Sequence, residues 1–416
     1  MESKHTGHVR ECQVCSNKNL ELMLPLGHQL PVSSYLTEEQ LHEAEVTYPL
    51  NLIRCSKCGL LQLDYIIDPT IAFPFKYTYR SGLTNMLIRN FRSLADLLTE
   101  KYNLTSKDLI VDIGSNDGTL LQGFKEKGMR VAGIEPTDAA DVANANNIPT
   151  VQDFINEKSV KEITDKYGKA KIVTATNVFA HINNMADLIL NIKDLMAEDG
   201  IFVSESQYLM AIAETLAFDT IYHDHLRYYS IKPLEYLFNS FGCTLIDAER
   251  ITAAGGSIRA FAMKGKQEQS ERLKELIRQE EKMGIYDVKF WNKFRAQAVE
   301  AKNDLLALIL KCKKEGSKIA GLTSSARSNT LLGFTGINNQ FLDYIGEKNG
   351  SPKIGLYTPG THIPIVDEKE IIKNQPDYVL VLSWHIGDEL MGIMRKLGYK
   401  GKFIIPLPKA KIVYDI

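Results

Sequence analysis

The segment Asp108–Thr137, DLIVDIGSNDGTLLQGFKEKGMRVAGIEPT, leaves few architectures open to this chain. Leu109 to Ile113 is a short apolar run of the kind that forms a buried parallel strand. GSNDG is a tight turn, and TLLQGFKEKG is a helix closed by Gly128. RVAGIE is a second strand that ends on Glu135. Strand, turn, helix and strand make one βαβ unit, which demands a parallel sheet and places ligand groups at the carboxyl ends of its strands.

The turn also narrows the ligand. Ser115 follows Gly114 and the next glycine is Gly118, so the G-x-G-x-x-G turn for a pyrophosphate is missing. Asp112 before the turn, Asp117 within it and Glu135 beyond suit a ligand without phosphates. S-adenosylmethionine is such a ligand, with a sulfonium, an amino group and a ribose diol. Glu135 is expected to accept from both ribose hydroxyls. Gly114 and Gly118 let the backbone approach the methionine part, with Asn116 in the same turn. AKIVTATNVFAHINNMADLI then reads as strand, polar turn and helix start, and places Asn177 and His181 at the adenosine pocket. LMAEDGIFVSES reads as helix, Asp-Gly turn and strand, which continues the β/α alternation across roughly residues 105–265.

Four of six cysteines form two C-x-x-C pairs, Cys12 with Cys15 and Cys55 with Cys58. Two residues between thiolates let one turn offer both sulfurs to a tetrahedral ion, and a reducing compartment favours zinc over disulfides. Four sulfur ligands close the site, so the zinc is structural. Gly59 after Cys58 meets the second knuckle's need for a positive φ. Cys243 and Cys312 stand alone in apolar surroundings, as buried small hydrophobes do.

AFDTIYHDHLRYYS, residues 217–230, gathers Tyr222, His223, Asp224 and His225, acid/base groups with a carboxylate to orient an imidazole. From Gln267 to Lys314 the pattern is helical and charged, with Phe290, Trp291, Phe294, Leu305 and Leu308 on one face. KIAGLTSSARSNTLLGFTGI repeats the strand, turn and helix order, so a second α/β domain is expected, its turn at Thr323–Asn329 facing a ligand or phosphate with Arg327 as the cation. A plain interdomain loop is the alternative reading of that turn. A net charge of −2 supplies no electrostatic footprint for nucleic acid, and no apolar run has the length of a membrane span. The expected protein is cytoplasmic, without nucleic-acid or membrane partners.

Zinc knuckles, VDIGSNDGTLL, YHDH, SNTLLGFTGI and TPGTHIPI occur in this order over nearly the whole chain. In this the chain resembles the zinc-containing sugar-nucleotide C-methyltransferases that act at C3 of dTDP-linked 4-keto deoxysugars. The resemblance implies a zinc-binding module over residues 1–80 and a Rossmann-like S-adenosylmethionine domain over 81–266. Bridging helices over 267–314 and a Rossmann-like substrate-binding domain over 315–416 complete it. It implies His225 as general base, Tyr222 and Asp224 as its flanking groups, and Tyr77 near the reacting carbon. Tyr79, Arg327 and Asn329 are expected on the substrate side. In this scheme His225 takes the C3 proton, Asp224 holds its tautomer, and Tyr77 or Tyr222 donates to the oxyanion at C4. An aspartate stands at 224 where relatives commonly have glutamate, and GLTSSARSNTLL departs from their Gly-Tyr-Gly-Ala start. Methylation at oxygen or nitrogen, a zinc-ribbon RNA-binding protein and a scaffold that only binds S-adenosylmethionine are the alternatives.

Overall fold

The computed structural model describes residues 6–75, 80–83 and 85–414. The N-terminal module contains β1 (Gly7–His8), β2 (Leu20–Gln29), β3 (Tyr48–Cys55), β4 (Leu61–Leu63) and β5 (Tyr65–Ile66). β2, β3 and β4 form an antiparallel sheet with β2 at its edge. Pro25, which has no N–H to donate, is tolerated in β2 because that strand is the edge and its register is broken there.

The middle of the chain supplies β6 (Leu109–Ile113), β7 (Arg130–Ile134), β8 (Thr150–Val151), β9 (Ala170–Thr176), β10 (Met196–Gln207), β11 (Arg227–Tyr228), β12 (Cys243–Ile251) and β13 (Ser257–Lys264). Seven of these lie in the order β12-β13-β10-β9-β6-β7-β8, parallel from β10 to β8, with β13 antiparallel to both neighbours. All five residues of β6 are buried, as a central strand covered on both faces requires. Leu120, Leu121 and Phe124 pack with Leu94 and Leu98 in one cluster, and Leu188, Ile189 and Ile192 with Leu234 and Phe238 in another. Each such buried side chain contributes about 1.5–3 kcal/mol. Chain order reverses between β6 and β9, so the crevice for a ligand opens at their carboxyl ends. The expected Asp-Gly turn is instead absorbed into β10 as a register shift between Met196 and Ile201. A Cβ at Gly200 would lie 2.9 Å from the Ala170 carbonyl, so glycine is what lets the irregular strand stay paired.

β11 does not join that sheet. It pairs antiparallel with β4 and completes the N-terminal sheet in the order β11-β4-β3-β2. The helix Glu271–Met283 ends at Gly284 in the left-handed region, and Asp287 caps a second helix, Val288–Lys314. Trp291, Phe294, Leu305 and Ile309 of this second helix are buried against Met23, Leu24 and Leu26 of β2 and the C-terminal domain. That domain consists of β14 (Ile319–Leu322), β15 (Ile345–Glu347), β16 (Ile365–Asp367), β17 (Tyr378–Val381), β18 (Lys402–Ile405) and β19 (Lys411–Val413), in the order β16-β15-β14-β17-β18-β19. All but β19 are parallel. Among the described residues no helix is long and apolar enough to cross a membrane.

Candidate functional site

β6 delivers the chain to the crevice, where Gly114 (φ 67°), Asn116 (φ 50°) and Gly118 (φ 79°) turn it back into the helix Thr119–Glu126. The turn's amides are already engaged. Gly114 and Ser115 donate to the Ile134 carbonyl, Gly118 to that of Ser115, and Asn116 to Glu135 Oε2 at 2.9 Å. A phosphate would find none of these four N–H groups free, which agrees with the missing pyrophosphate signature. Glu135 is buried at the end of β7, and its Oε1 accepts from the amide and hydroxyl of Thr137. Three donors on a carboxylate with about four acceptor positions leave one for a ribose hydroxyl. A second hydroxyl has to displace one of these protein donors.

The two glycines also make room for side chains packed against the turn. A Cβ at Gly114 would lie 2.5 Å from Val178, and one at Gly118 would lie 3.2 Å from Ile148. Each glycine admits a neighbouring side chain as well as the positive φ. Asn116 Oδ1 accepts from the Ser81 amide and Asp117 Oδ2 from that of Gly82, while Asp117 Oδ1 accepts from Thr119. Asp112 sits below the turn, 2% exposed, with the Thr174 hydroxyl 2.6 Å from Oδ1. Burial pushes its carboxyl up to about 7. Asn177 follows β9 with φ 57°, its amide donating to the Glu205 carbonyl. Among the described residues the buried Ser115 hydroxyl and Asn183 carbonyl oxygen have no partner, so polar capacity is left over there. A ribose acceptor, spare polar atoms and a turn without an anion nest fit S-adenosylmethionine.

His181 and His225 come together beside that crevice. Their rings stack with centroids 4.9 Å apart; Phe73 covers His181 at 5.4 Å and Tyr222 covers His225 at 4.1 Å. His225 Nδ1 lies 2.9 Å from the Thr220 carbonyl. A carbonyl only accepts, so Nδ1 carries the proton and the Nε2 lone pair is available as a base. Burial, then the charge of Arg327, lowers the imidazole to about 4, against a rise from the Thr220 contact. Burial, then the neighbouring His225 and Arg227, also holds His181 well below its ordinary value.

Asp224 does not orient His225. Among the described residues no hydrogen bond joins them and buried Asp224 Oδ1 has no partner. Burial raises this carboxyl to about 7. His223 is 1% exposed and contacts the Pro49 carbonyl of the N-terminal module through Nε2, away from the paired imidazoles. Residue type gave no hint of Thr220, because what it contributes is a backbone carbonyl. Tyr77 and Tyr79 lie outside the described residues.

The expected phosphate turn at Thr323–Asn329 is otherwise occupied. The amides of Thr323, Ser324, Ser325 and Ser328 bond Gly346, Glu347, Ser328 and Ser325, the last two forming a reciprocal capping box. Arg327 grips Asp219 through Nε at 3.2 Å and Nη2 at 2.8 Å, and Trp384 donates to the same carboxylate at 2.8 Å. Asp219 is fully buried. Arg327 is therefore an interdomain anchor whose charge reaches His225, and Asn329 donates to the Val32 carbonyl. A lone turn pattern could not reveal this, since Asp219 lies more than a hundred residues upstream.

The four cysteines converge. All four sulfurs lie within 4.8 Å of one another, with Cys12–Cys58 at 3.5 Å and Cys15–Cys55 at 3.4 Å. Zinc with four sulfurs at about 2.3 Å has sulfur–sulfur edges of about 3.8 Å, so the cluster fits the ion. The first knuckle closes through Ser16 N to the Cys12 carbonyl and the second through Gly59 N to that of Cys55, with Gly59 at φ 78°.

Three family models cover most of the chain: "Putative zinc binding domain" over residues 12–73, "Methyltransferase domain" over 86–248 and "C-methyltransferase C-terminal domain" over 252–408. The C-methyltransferase NovU of Streptomyces niveus is 29% identical over 409 residues, covering 97% of each chain. Among solved structures, magnesium protoporphyrin IX methyltransferase from Synechocystis PCC 6803 is 13% identical, with a TM-score of 0.34 over 43% of this chain and 80% of its own. The 1,6-didemethyltoxoflavin-N1-methyltransferase of Burkholderia thailandensis is 14% identical, with a TM-score of 0.35 over 51% and 97%.

Proposed function

We propose that this S-adenosylmethionine-dependent methyltransferase with a zinc-binding domain is a C-methyltransferase, and that its substrate is a nucleotide-linked 4-keto deoxysugar methylated at C3 through an enolate. The observation that carries this reading is the contact of His225 Nδ1 with the Thr220 carbonyl, which holds the proton there and leaves the lone pair of the neutral imidazole on Nε2. A carbon becomes nucleophilic only when an adjacent ketone acidifies its C–H bond, and a positioned imidazole is the base such a step needs. Bound S-adenosylmethionine supplies an electrophilic methyl group on sulfur. Glu135 holds the ribose, and Asn177 and His181 line the adenosine side. His225 takes the C3 proton, and the Tyr222 hydroxyl or that of Tyr77 donates to the oxygen that gains charge. The likeness to the C-methyltransferase NovU supports methylation at carbon, and a dTDP-linked sugar nucleotide as the substrate is part of the proposal. Four-sulfur ligation leaves zinc no open position, so its part is structural.

The test is exchange of a C3 deuterium into water from a 4-keto deoxysugar nucleotide, measured by mass spectrometry. Wild-type protein is expected to wash the label out and to methylate C3. His225→Ala loses both by about two or more powers of ten, while S-adenosylhomocysteine affinity by calorimetry is unchanged. Methyl transfer with the C3 deuterium retained in full refutes the enolate and points to methylation at oxygen.

A further inference from the structure

Arg227 is a buried cation with no acid paired to it among the described residues. Its side chain is 1% exposed, and its hydrogen-bond partners are all uncharged: the Gln13 side-chain oxygen through Nη1, the Ile182 carbonyl through Nη2 and the Tyr229 hydroxyl through Nε at 3.0 Å. Burying an unpaired guanidinium is unfavourable, and a methionine of similar length fills space without that cost. What the guanidinium adds is geometry, a planar fork that reaches three acceptors on separate segments.

Those segments identify its task. Gln13 stands inside the first zinc knuckle, between Cys12 and Cys15. Ile182 follows His181, and Arg227 lies two positions beyond His225. The backbone runs the same way: the Leu226 amide donates to the Ala180 carbonyl, and the Leu226 carbonyl accepts from Leu63 of β4. Gln62, opposite Arg227 in the β4–β11 ladder, binds the same knuckle through the Gln13 amide and the Glu11 carbonyl.

We propose that Arg227 is a positioning residue that holds the His181 and His225 turns in register against the zinc knuckle through Gln13. The inference deepens the functional reading above, because the imidazoles it sets are those assigned to the reacting pocket. Loss of the guanidinium lets the two turns slide relative to each other while both remain folded. Arg227 is not itself in contact with the reacting carbon; it acts through Ile182 and β11.

The experiment is nitrogen-15 NMR of the histidine rings, nine in the chain, in the full-length zinc-loaded protein. Wild type is compared with Arg227→Lys and with Gln13→Ala, which removes one hydrogen bond and leaves the guanidinium in place. The expected result is displacement of the His181 and His225 signals in both variants, with His42 and His362 unmoved and zinc content unchanged. Signals that stay in place in Gln13→Ala, or that move alike for all nine rings, overturn the proposal. This readout needs no turnover, so a failure here is distinguishable from failure of the His225 base assignment, which deuterium exchange reports separately.

Discussion

His225 and Asp224 are neighbours in the chain, and burial sends their proton affinities in opposite directions. The imidazole is held near 4 and the carboxyl near 7 because each group resists its charged form. If His225 is the base, the acid limb of turnover lies near pH 4, since only protonation of Nε2 removes the lone pair; a pH–rate profile with a single limb near 6.5 contradicts this. For Asp224 the folded value lies above the unfolded one, so its contribution to stability is present below about pH 4 and is lost as pH rises through about 7. Asp224→Asn is expected to remove that part of the slope, on the order of 1 kcal/mol or more across this window, in urea midpoints taken from pH 4 to 8. Gly114 makes a sharper test. Alanine there meets Val178 at 2.5 Å in a left-handed backbone and is expected to weaken S-adenosylhomocysteine by about tenfold. Val178→Ala in the same chain relieves the clash, and calorimetric affinity should partly recover.

Between elements, polar side chains fasten what apolar faces bring close. Glu280, fully buried on the helix Glu271–Met283, accepts from the Tyr208 and Tyr286 hydroxyls and from the Ile231 amide at the start of the helix Ile231–Ser240. Three donors on one buried carboxylate make it an N-terminal cap supplied by another helix. Glu280→Leu leaves those donors unsatisfied and is expected to cost about 1–3 kcal/mol, read as a lower urea midpoint at unchanged slope. The helix Val288–Lys314 was legible from its apolar face, and Trp291, Phe294 and Leu305 are buried as the pattern required. The Asp-Gly turn was misread because a two-residue turn signal looks the same within an irregular strand as between two elements.

Across the whole molecule, two joints hold the crevice together. One is the N-terminal sheet, which β11 completes with residues directly after His225. Chelation of zinc is therefore expected to release that strand as well as the knuckles, lowering the melting temperature and increasing hydrogen exchange at residues 225–229 together with 55–63. Protection that persists at 225–229 in zinc-free protein contradicts this coupling. The other joint is Asp219 with Arg327 and Trp384, between the middle and C-terminal domains. Arg327→Ala strands a buried carboxylate and is expected to cost about 3–5 kcal/mol. The Asp219→Asn, Arg327→Met pair should recover much of it in chemical denaturation.

The βαβ unit, the two cysteine knuckles and the burial pattern of the long helix were set by the sequence alone. Each depends on neighbours within a few turns of chain, where spacing and side-chain type decide the outcome. The partners of buried polar groups were settled by the tertiary structure. Thr220 rather than Asp224 serves His225, Asp219 claims Arg327 before a phosphate can, and β11 leaves its own domain to join the zinc sheet. A desolvated donor or acceptor must find a complement among whatever the fold brings within about 3 Å. That choice is made only once distant segments have been buried together, so no local pattern in the chain announces it.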